Sequence, residues 1–135
     1  MINKTGKNID IVGSFVYVYT TAEYEKKGWF KIGGTDYQSV LQRVKQQDTT
    51  STAEELIIYR AFELRFTKFN EKSAEAENLI RSKIEEKGGR LTRIDAYREW
   101  RICTLDEIDT IYCSLLDPEF NRSELVLLPH QKNGL

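Results

Sequence analysis

Several residue types are scarce in this chain, and each scarcity excludes a class of protein. The 135 residues include two cysteines, Cys103 and Cys113, and one histidine, His130. Their spacing is not that of a zinc site, so we expect each cysteine to be a small buried apolar residue. No apolar run approaches the length needed to cross a bilayer. The first ten residues carry lysines but lack the apolar core of a secretion signal, which predicts an intracellular, unsecreted protein without membrane contact.

The charge is nearly balanced overall but is unevenly distributed. The formal net charge is -1, and residues 105–135 hold six acidic against two basic residues, whereas residues 1–104 hold 18 basic and 15 acidic ones. A net charge this small argues against a protein that coats nucleic acid by charge alone. The mildly basic body can still meet phosphates locally, with binding that weakens as salt increases.

The length predicts one domain with its own apolar core. We expect an N-terminal extension over residues 1–12, a folded domain over residues 13–116 and a tail over residues 117–135. The tail combines acidic residues with an apolar run at residues 125–128, which favours packing on the body or on another subunit.

The first half of the domain has the pattern of a β-hairpin followed by a helix. Residues 15–20 and 29–32 are rich in aromatic and β-branched residues, and a polar loop joins them. The pair Gly33 and Gly34 is expected to break the second strand. Thr35 or Asp36 can then cap a helix that carries Arg43.

The second half is expected to add two strands and two helices. Residues 56–66 follow a polar loop at 49–52 and predict a third strand, and a helix begins at Asn70 or Ser73 and ends at Gly88 and Gly89. Residues 97–103 predict a fourth strand at the edge of the sheet, and residues 104–107 have the form of a capping box before a last helix.

Short signatures in a fixed order carry the functional information. In chain order they are Phe15-Val16-Tyr17, Lys31-Ile32-Gly33 with Thr35 two residues later, Arg43, Glu77, and Glu99-Trp100. This order resembles the GIY-YIG nuclease superfamily, in the phage and viral branch whose second signature commonly reads Lys-Ile-Gly. The resemblance covers residues 13–103. It implies an α+β fold, a small three- to four-stranded, mostly antiparallel sheet flanked by helices, in a GIY-YIG-like nuclease domain over residues 13–116.

The resemblance also implies Mg²⁺-dependent (or Mn²⁺-dependent) hydrolysis of DNA phosphodiesters in a bacterial or phage-infected cytoplasm. Tyr17 would act as general base, provided that a neighbouring positive charge such as Lys31 favours its phenolate over the ordinary pKa near 10. Arg43 would stabilise the transition state through its planar, permanently charged fork. Glu77 would hold the metal, since Mg²⁺ takes only one or two protein oxygens. The expected substrate-binding residues are Gly33, Thr35 and Arg81.

Each of these residues also has an ordinary structural interpretation. Tyr17 can be a half-buried strand aromatic, and Arg43 a solvated charge on a surface helix. Glu77 and Arg81, four residues apart, can form a helix-surface ion pair worth a few tenths of a kcal/mol. Departures from the family pattern occur at Lys31, where tyrosine is commoner, at Gln47, where many members have a histidine, and at Arg81, where the viral branch often has histidine.

Three functions therefore stay open at this stage. The first is a metal-dependent endonuclease, and the second is a catalytically weak or inactive module of the same fold that binds DNA or a protein. The third is an unrelated α+β domain. Expected partners are DNA and, through the tail, a second copy of the chain or another protein.

Overall fold

The fold is described from a computed structural model, which describes residues 1–47, 55–87, 93–94 and 97–118. Six strands and four helices occur within these ranges. The strands are β1 (Ile2–Asn3), β2 (Val12–Thr20), β3 (Trp29–Ser39), β4 (Ile57–Glu63), β5 (Arg93–Ile94) and β6 (Tyr97–Ile102). The helices are α1 (Ala22–Lys26), α2 (Val40–Gln47), α3 (Ser73–Lys87) and α4 (Leu105–Leu115).

The expected α+β class, a small sheet with flanking helices, is confirmed. The strand order is β1-β4-β2-β3-β6-β5, and every pairing is antiparallel except that of β1 with β4. Two strands exceed the expected number, and both are only two residues long. Since β1 belongs to the N-terminal extension, that segment contributes to the sheet. In the described ranges no helix is long and apolar enough to span a membrane.

The central hairpin forms as predicted, but its second strand is longer. The expectation that Gly33 and Gly34 break the strand is wrong, because their backbones pair with Tyr17 and Val16 and β3 continues to Ser39. Glycine fits here since side chains from both sides approach the strand closely at these two positions.

The caps of two helices also differ from expectation. The Ser39 hydroxyl accepts from the backbone N–H of Gln42 at 3.0 Å, so Ser39 caps α2 instead of Thr35 or Asp36. The carboxylate of Asp36 accepts from the Ser73 hydroxyl at 2.9 Å, and Ser73 is the first residue of α3. Asp36 therefore connects β3 to the beginning of α3. The helix begins at Ser73, which is one of the two predicted positions.

The predictions for the remaining elements have different outcomes. The capping box at Thr104 and Glu107 is confirmed. The prediction that the fourth strand lies at the edge is wrong, because β6 pairs with β3 on one side and with β5 on the other. The polar loop after β2 contains the short helix α1, which was not predicted. The expected loop at 49–52, the stop at 88–89 and most of the tail lie outside the described residues.

Two apolar clusters cover the two faces of the sheet. The larger is built with side chains from α3 and α4, such as Ile80, Ile84 and Ile108. The smaller is built with Val40 and Val44 of α2, and Tyr17 belongs to it. The consequence for the site is that Tyr17 lies on the α2 face of the sheet, whereas α3, which carries Glu77, lies on the opposite face.

Candidate functional site

The register of the hairpin places two tyrosines beside the second signature. Tyr17 is opposite Gly33 and Tyr19 is opposite Lys31, so these residues share the α2 face. The two phenol rings are stacked, with centroids 5.9 Å apart and an interplanar angle of 4°. The Lys31 ammonium lies over the Tyr19 ring, 5.2 Å from its centroid. The sheet thus presents an aromatic surface with one cation on it.

The side chain of Gln47, the last residue of α2, connects this group. Its Oε1 accepts from the Tyr17 hydroxyl at 2.7 Å, from Lys31 Nζ at 3.1 Å and from the Tyr19 hydroxyl at 3.5 Å. In the sequence this position stands out only for the histidine it lacks, and Gln47 was not predicted as a site residue. The available signal was its spacing of four residues from Arg43, which puts both side chains on one face of the helix.

The environment of Tyr17 opposes the role of a base at neutral pH. Its side chain is fully buried, and burial raises its pKa to about 12, although Lys31 and Arg43 act in the opposite direction. The nearby positive charge does favour the phenolate, as expected, but desolvation of the phenolate outweighs it. The alternative interpretation of Tyr17 as a half-buried strand aromatic understates its burial.

The high pKa of Tyr17 predicts how stability depends on pH. Because the folded pKa of about 12 exceeds the ordinary value of 10.0, the stabilisation linked to this proton is fully present below pH 10 and is lost as the pH rises through 12. We expect the tyrosinate absorbance of the folded protein to show one step near pH 12 that Tyr17→Phe removes. A Tyr17 step near neutral pH would contradict this assignment.

Loss of the Gln47 amide is expected to destabilise the fold. Gln47→Leu leaves the buried Tyr17 hydroxyl without its acceptor, which should lower the free energy of unfolding by about 1–3 kcal/mol. Urea denaturation measures the change, and Gln46→Leu, at the exposed preceding position of the same helix, is the matched control. Equal effects of the two substitutions would show that the hydrogen bonds to Gln47 add no stability.

Lys31 and Arg43 provide the positive charge of this face. Lys31 Nζ lies 3.4 Å from Oε2 of Glu99, and the lysine side chain is 13% exposed. Arg43 is partly exposed, one turn before Gln47 on α2. Within the part of the chain that the structure describes, Arg43 makes no hydrogen bond and no ion pair. Its partly exposed guanidinium can donate to an external anion.

The carboxylate of Glu77 lies beside β3 on the α3 face, within electrostatic range of Lys31. Its Oε1 accepts from both terminal nitrogens of Arg81 at 3.3 Å. Its Oε2 lies against Gly34, where a Cβ atom would be 2.5 Å from that oxygen. Burial raises the pKa of Glu77, and Arg81 and Lys31 partly offset this effect by favouring the charged form. Lys31 thus acts electrostatically on Tyr17, which is on its own face of the sheet, and on Glu77, which is on the opposite face.

Arg81 has a structural role at the unpaired part of β3. The pairing of β6 ends at Lys31, and Arg81 NH1 donates to the carbonyl of the next residue, Ile32, at 2.6 Å. Arg81 NH2 donates to Asn78 at 2.5 Å, and the side chain is buried. The ion pair expected as the ordinary alternative is present, but it is buried instead of lying on a helix surface.

The expected substrate-binding residues Gly33, Thr35 and Arg81 are packed against their neighbours. Arg81 is buried and holds both Glu77 and the strand edge. Gly33 is buried under the Tyr17 ring, and a Cβ there would be 2.6 Å from the ring. Thr35 is 4% exposed, and its hydroxyl lies 3.4 Å from Gln38. Substrate binding by these three residues stays a prediction.

Glu77 is the carboxylate that the sequence predicts as the metal ligand. Among residues 1–47, 55–87, 93–94 and 97–118, no three histidine, cysteine or acidic side chains form a metal-binding group. In the same ranges Glu77 Oε2 accepts no hydrogen bond. A carboxylate oxygen is a ligand of the type that Mg²⁺ takes, and the ion needs only one or two of them from a protein.

The fold and site together define a small α+β domain with charged side chains on both faces of its central hairpin. The particular family follows from comparison with known proteins. Residues 14–115 match the T5orf172 domain, and the chain belongs to this family. It is a phage-associated domain of the GIY-YIG-like, nuclease-related clan. No curated protein and no solved structure matches the chain.

Proposed function

We propose that this protein is a metal-dependent endonuclease of the GIY-YIG type that hydrolyses DNA phosphodiester bonds. The observation that carries the proposal is the position of Glu77 Oε2. It lies against the glycine backbone of β3 without a hydrogen bond in the described ranges, and Lys31 is close enough to affect the pKa of its carboxyl. Membership of a nuclease-related family supports the same reaction class.

The residues divide the reaction between them as follows. Glu77 would hold Mg²⁺ or Mn²⁺, and when bound the ion would polarise a phosphate oxygen and acidify a water. Arg43 donates its planar fork to the phosphoryl oxygens, where negative charge accumulates in the transition state. Lys31 adds a second positive charge on the same face. Tyr17, with its raised pKa, positions Gln47 and Lys31 and takes no proton at neutral pH.

A second candidate function is a module of the same fold that binds DNA without cutting it. The burial of Tyr17 and its bond to Gln47 favour it, since a buried phenol with a pKa of about 12 cannot activate water at neutral pH. Lys31 and Arg43 would then bind phosphate. Glu77 would only accept hydrogen bonds from Arg81 and so hold Arg81 at the edge of β3.

Conversion of supercoiled plasmid to the nicked form separates the two functions. The purified chain is incubated with plasmid in Mg²⁺, in Mn²⁺ and in a chelator. Cleavage that requires the divalent ion supports the endonuclease. Salt-sensitive retention of the plasmid without any nicking in either metal would support the binding module and overturn the first proposal.

A further inference from the structure

A cluster of partly exposed aromatic side chains extends from the candidate site across the α2 face of the sheet. Trp29, Lys31 and Gly33 alternate along β3, so their side-chain positions are on one face. Trp100 of β6 pairs with Lys31 and is in edge contact with Tyr19, with centroids 6.0 Å apart. The aromatic surface that begins beside Lys31 therefore continues toward the first residue of β3.

Helix α1 adds a tyrosine and a lysine at the far end of this surface. Tyr24 lies 5.1 Å from the Trp29 ring and 5.1 Å from the Trp100 ring, centroid to centroid. Lys27 Nζ lies over the Trp29 ring, 4.8 Å from its centroid, and 5.9 Å from that of Tyr24. The lysine is exposed and the three rings are partly exposed. We call Tyr24, Lys27, Trp29 and Trp100 the aromatic cluster.

We propose that the aromatic cluster stacks an unpaired nucleobase next to the phosphate that Lys31 and Arg43 bind, so that the substrate is single-stranded or locally unpaired nucleic acid. This proposal rests on the proposed function, because it names the substrate class of that same site. Base stacking on aromatic rings is sequence-tolerant and is worth about 1–3 kcal/mol per base. A base inside a duplex has no face available for it, so a paired strand would have to open first.

The spacing and charge of the surface fit one nucleotide step. Trp29 and Lys31 are two residues apart on an extended strand, roughly 7 Å. A base on the Trp29 face would displace the Lys27 ammonium, which is on a flexible exposed side chain and can then contact a phosphate. The nearby acid Glu25 already accepts from the Tyr59 hydroxyl at 2.7 Å, so its carboxylate is directed to β4.

Binding is measured without cleavage, with Glu77→Gln protein in a chelator and oligothymidylate of about ten nucleotides. We expect this strand to quench the tryptophan fluorescence and to bind more tightly than the duplex of the same length. An abasic phosphodeoxyribose oligomer of equal charge should bind more weakly and should not quench. Equal affinity for the abasic and the normal strand would overturn the proposal.

Substitutions then locate the stacked base. Trp29→Leu should weaken binding of the single strand about tenfold, the equivalent of 1.4 kcal/mol, and leave the abasic oligomer unaffected. Tyr37→Asn is the matched control, because Tyr37 is a 71% exposed aromatic at the distant end of β3 with a positive φ that asparagine tolerates. Equal losses at Tyr37 and Trp29 would reject the cluster as the binding site.

A second variant keeps the proposal testable if Trp29→Leu does not fold. Lys27→Ala changes an exposed residue, and it should lower the salt dependence of binding by about one counterion. An unchanged salt dependence would count against contact between Lys27 and phosphate. The two proposals fail separately: base-dependent binding without Mg²⁺-dependent nicking rejects the endonuclease alone, and nicking with base-independent binding rejects the aromatic cluster alone.

Discussion

Glu77→Gln is expected to reduce Mg²⁺-dependent nicking of plasmid by at least about a hundredfold. A bound divalent ion supplies several kcal/mol of charge stabilisation in such a reaction, and each 1.36 kcal/mol is a factor of about ten in rate. The glutamine amide keeps the size of the carboxylate and can still accept from Arg81, but it lacks the charge that holds the ion. The rate of nicking at several Mg²⁺ concentrations measures the effect.

The control for this experiment lies on the same helix. Glu75→Gln removes an equal charge from an exposed position of α3, two residues earlier, and should leave the nicking rate within about twofold. Both variants are first compared with the parent protein by thermal unfolding. If Glu77→Gln cuts as fast as the parent at every Mg²⁺ concentration, Glu77 has no part in the mechanism and the metal site must be sought elsewhere.

Gly33→Ala is expected to lower the stability of the fold. The added Cβ would lie 2.6 Å from the Tyr17 ring and its hydroxyl, and Tyr17 is fully buried with its hydroxyl bonded to Gln47. Overpacking of this kind typically costs about 1–3 kcal/mol, since the ring cannot move without disturbing its neighbours. The midpoint of urea denaturation reports the loss.

A double-mutant cycle identifies the cause of that loss. Tyr17→Leu shortens the side chain that the new methyl group would meet, so Gly33→Ala should cost less in the Tyr17→Leu background than in the parent protein. If the cost is the same in both backgrounds, the destabilisation arises from the strand backbone and not from the contact with Tyr17.

Local patterns in the sequence were sufficient for most of the elements. The aromatic and β-branched composition predicted the central hairpin, and the capping box predicted the beginning of α4 at Thr104. The strand through Gly33 and Gly34 was missed because glycine commonly ends strands. Here it is required by contacts with Tyr17 and Glu77, and a local pattern contains no information about such distant neighbours.

The sequence predicted which residues belong to the candidate site better than it predicted their burial and pKa values. The order of Tyr17, Lys31, Arg43 and Glu77 was readable along the chain, but the pKa of Tyr17 depends on its burial, which three-dimensional packing decides. Similarly, the buried position of Arg81 follows from where the pairing of β6 ends, so that the carbonyl of Ile32 needs another donor.

At the two adjacent glycines of β3 the strand has no side chain on either face, so neighbouring groups can approach its backbone from both sides. A phenol lies against one of these glycines and a carboxylate against the other, on opposite faces of the sheet, and Lys31 acts electrostatically on both groups. The pKa of the phenol and that of the carboxyl can therefore be changed separately. Substitutions on α2 should alter the environment of the phenol, and substitutions on α3 should alter the pKa of the carboxyl.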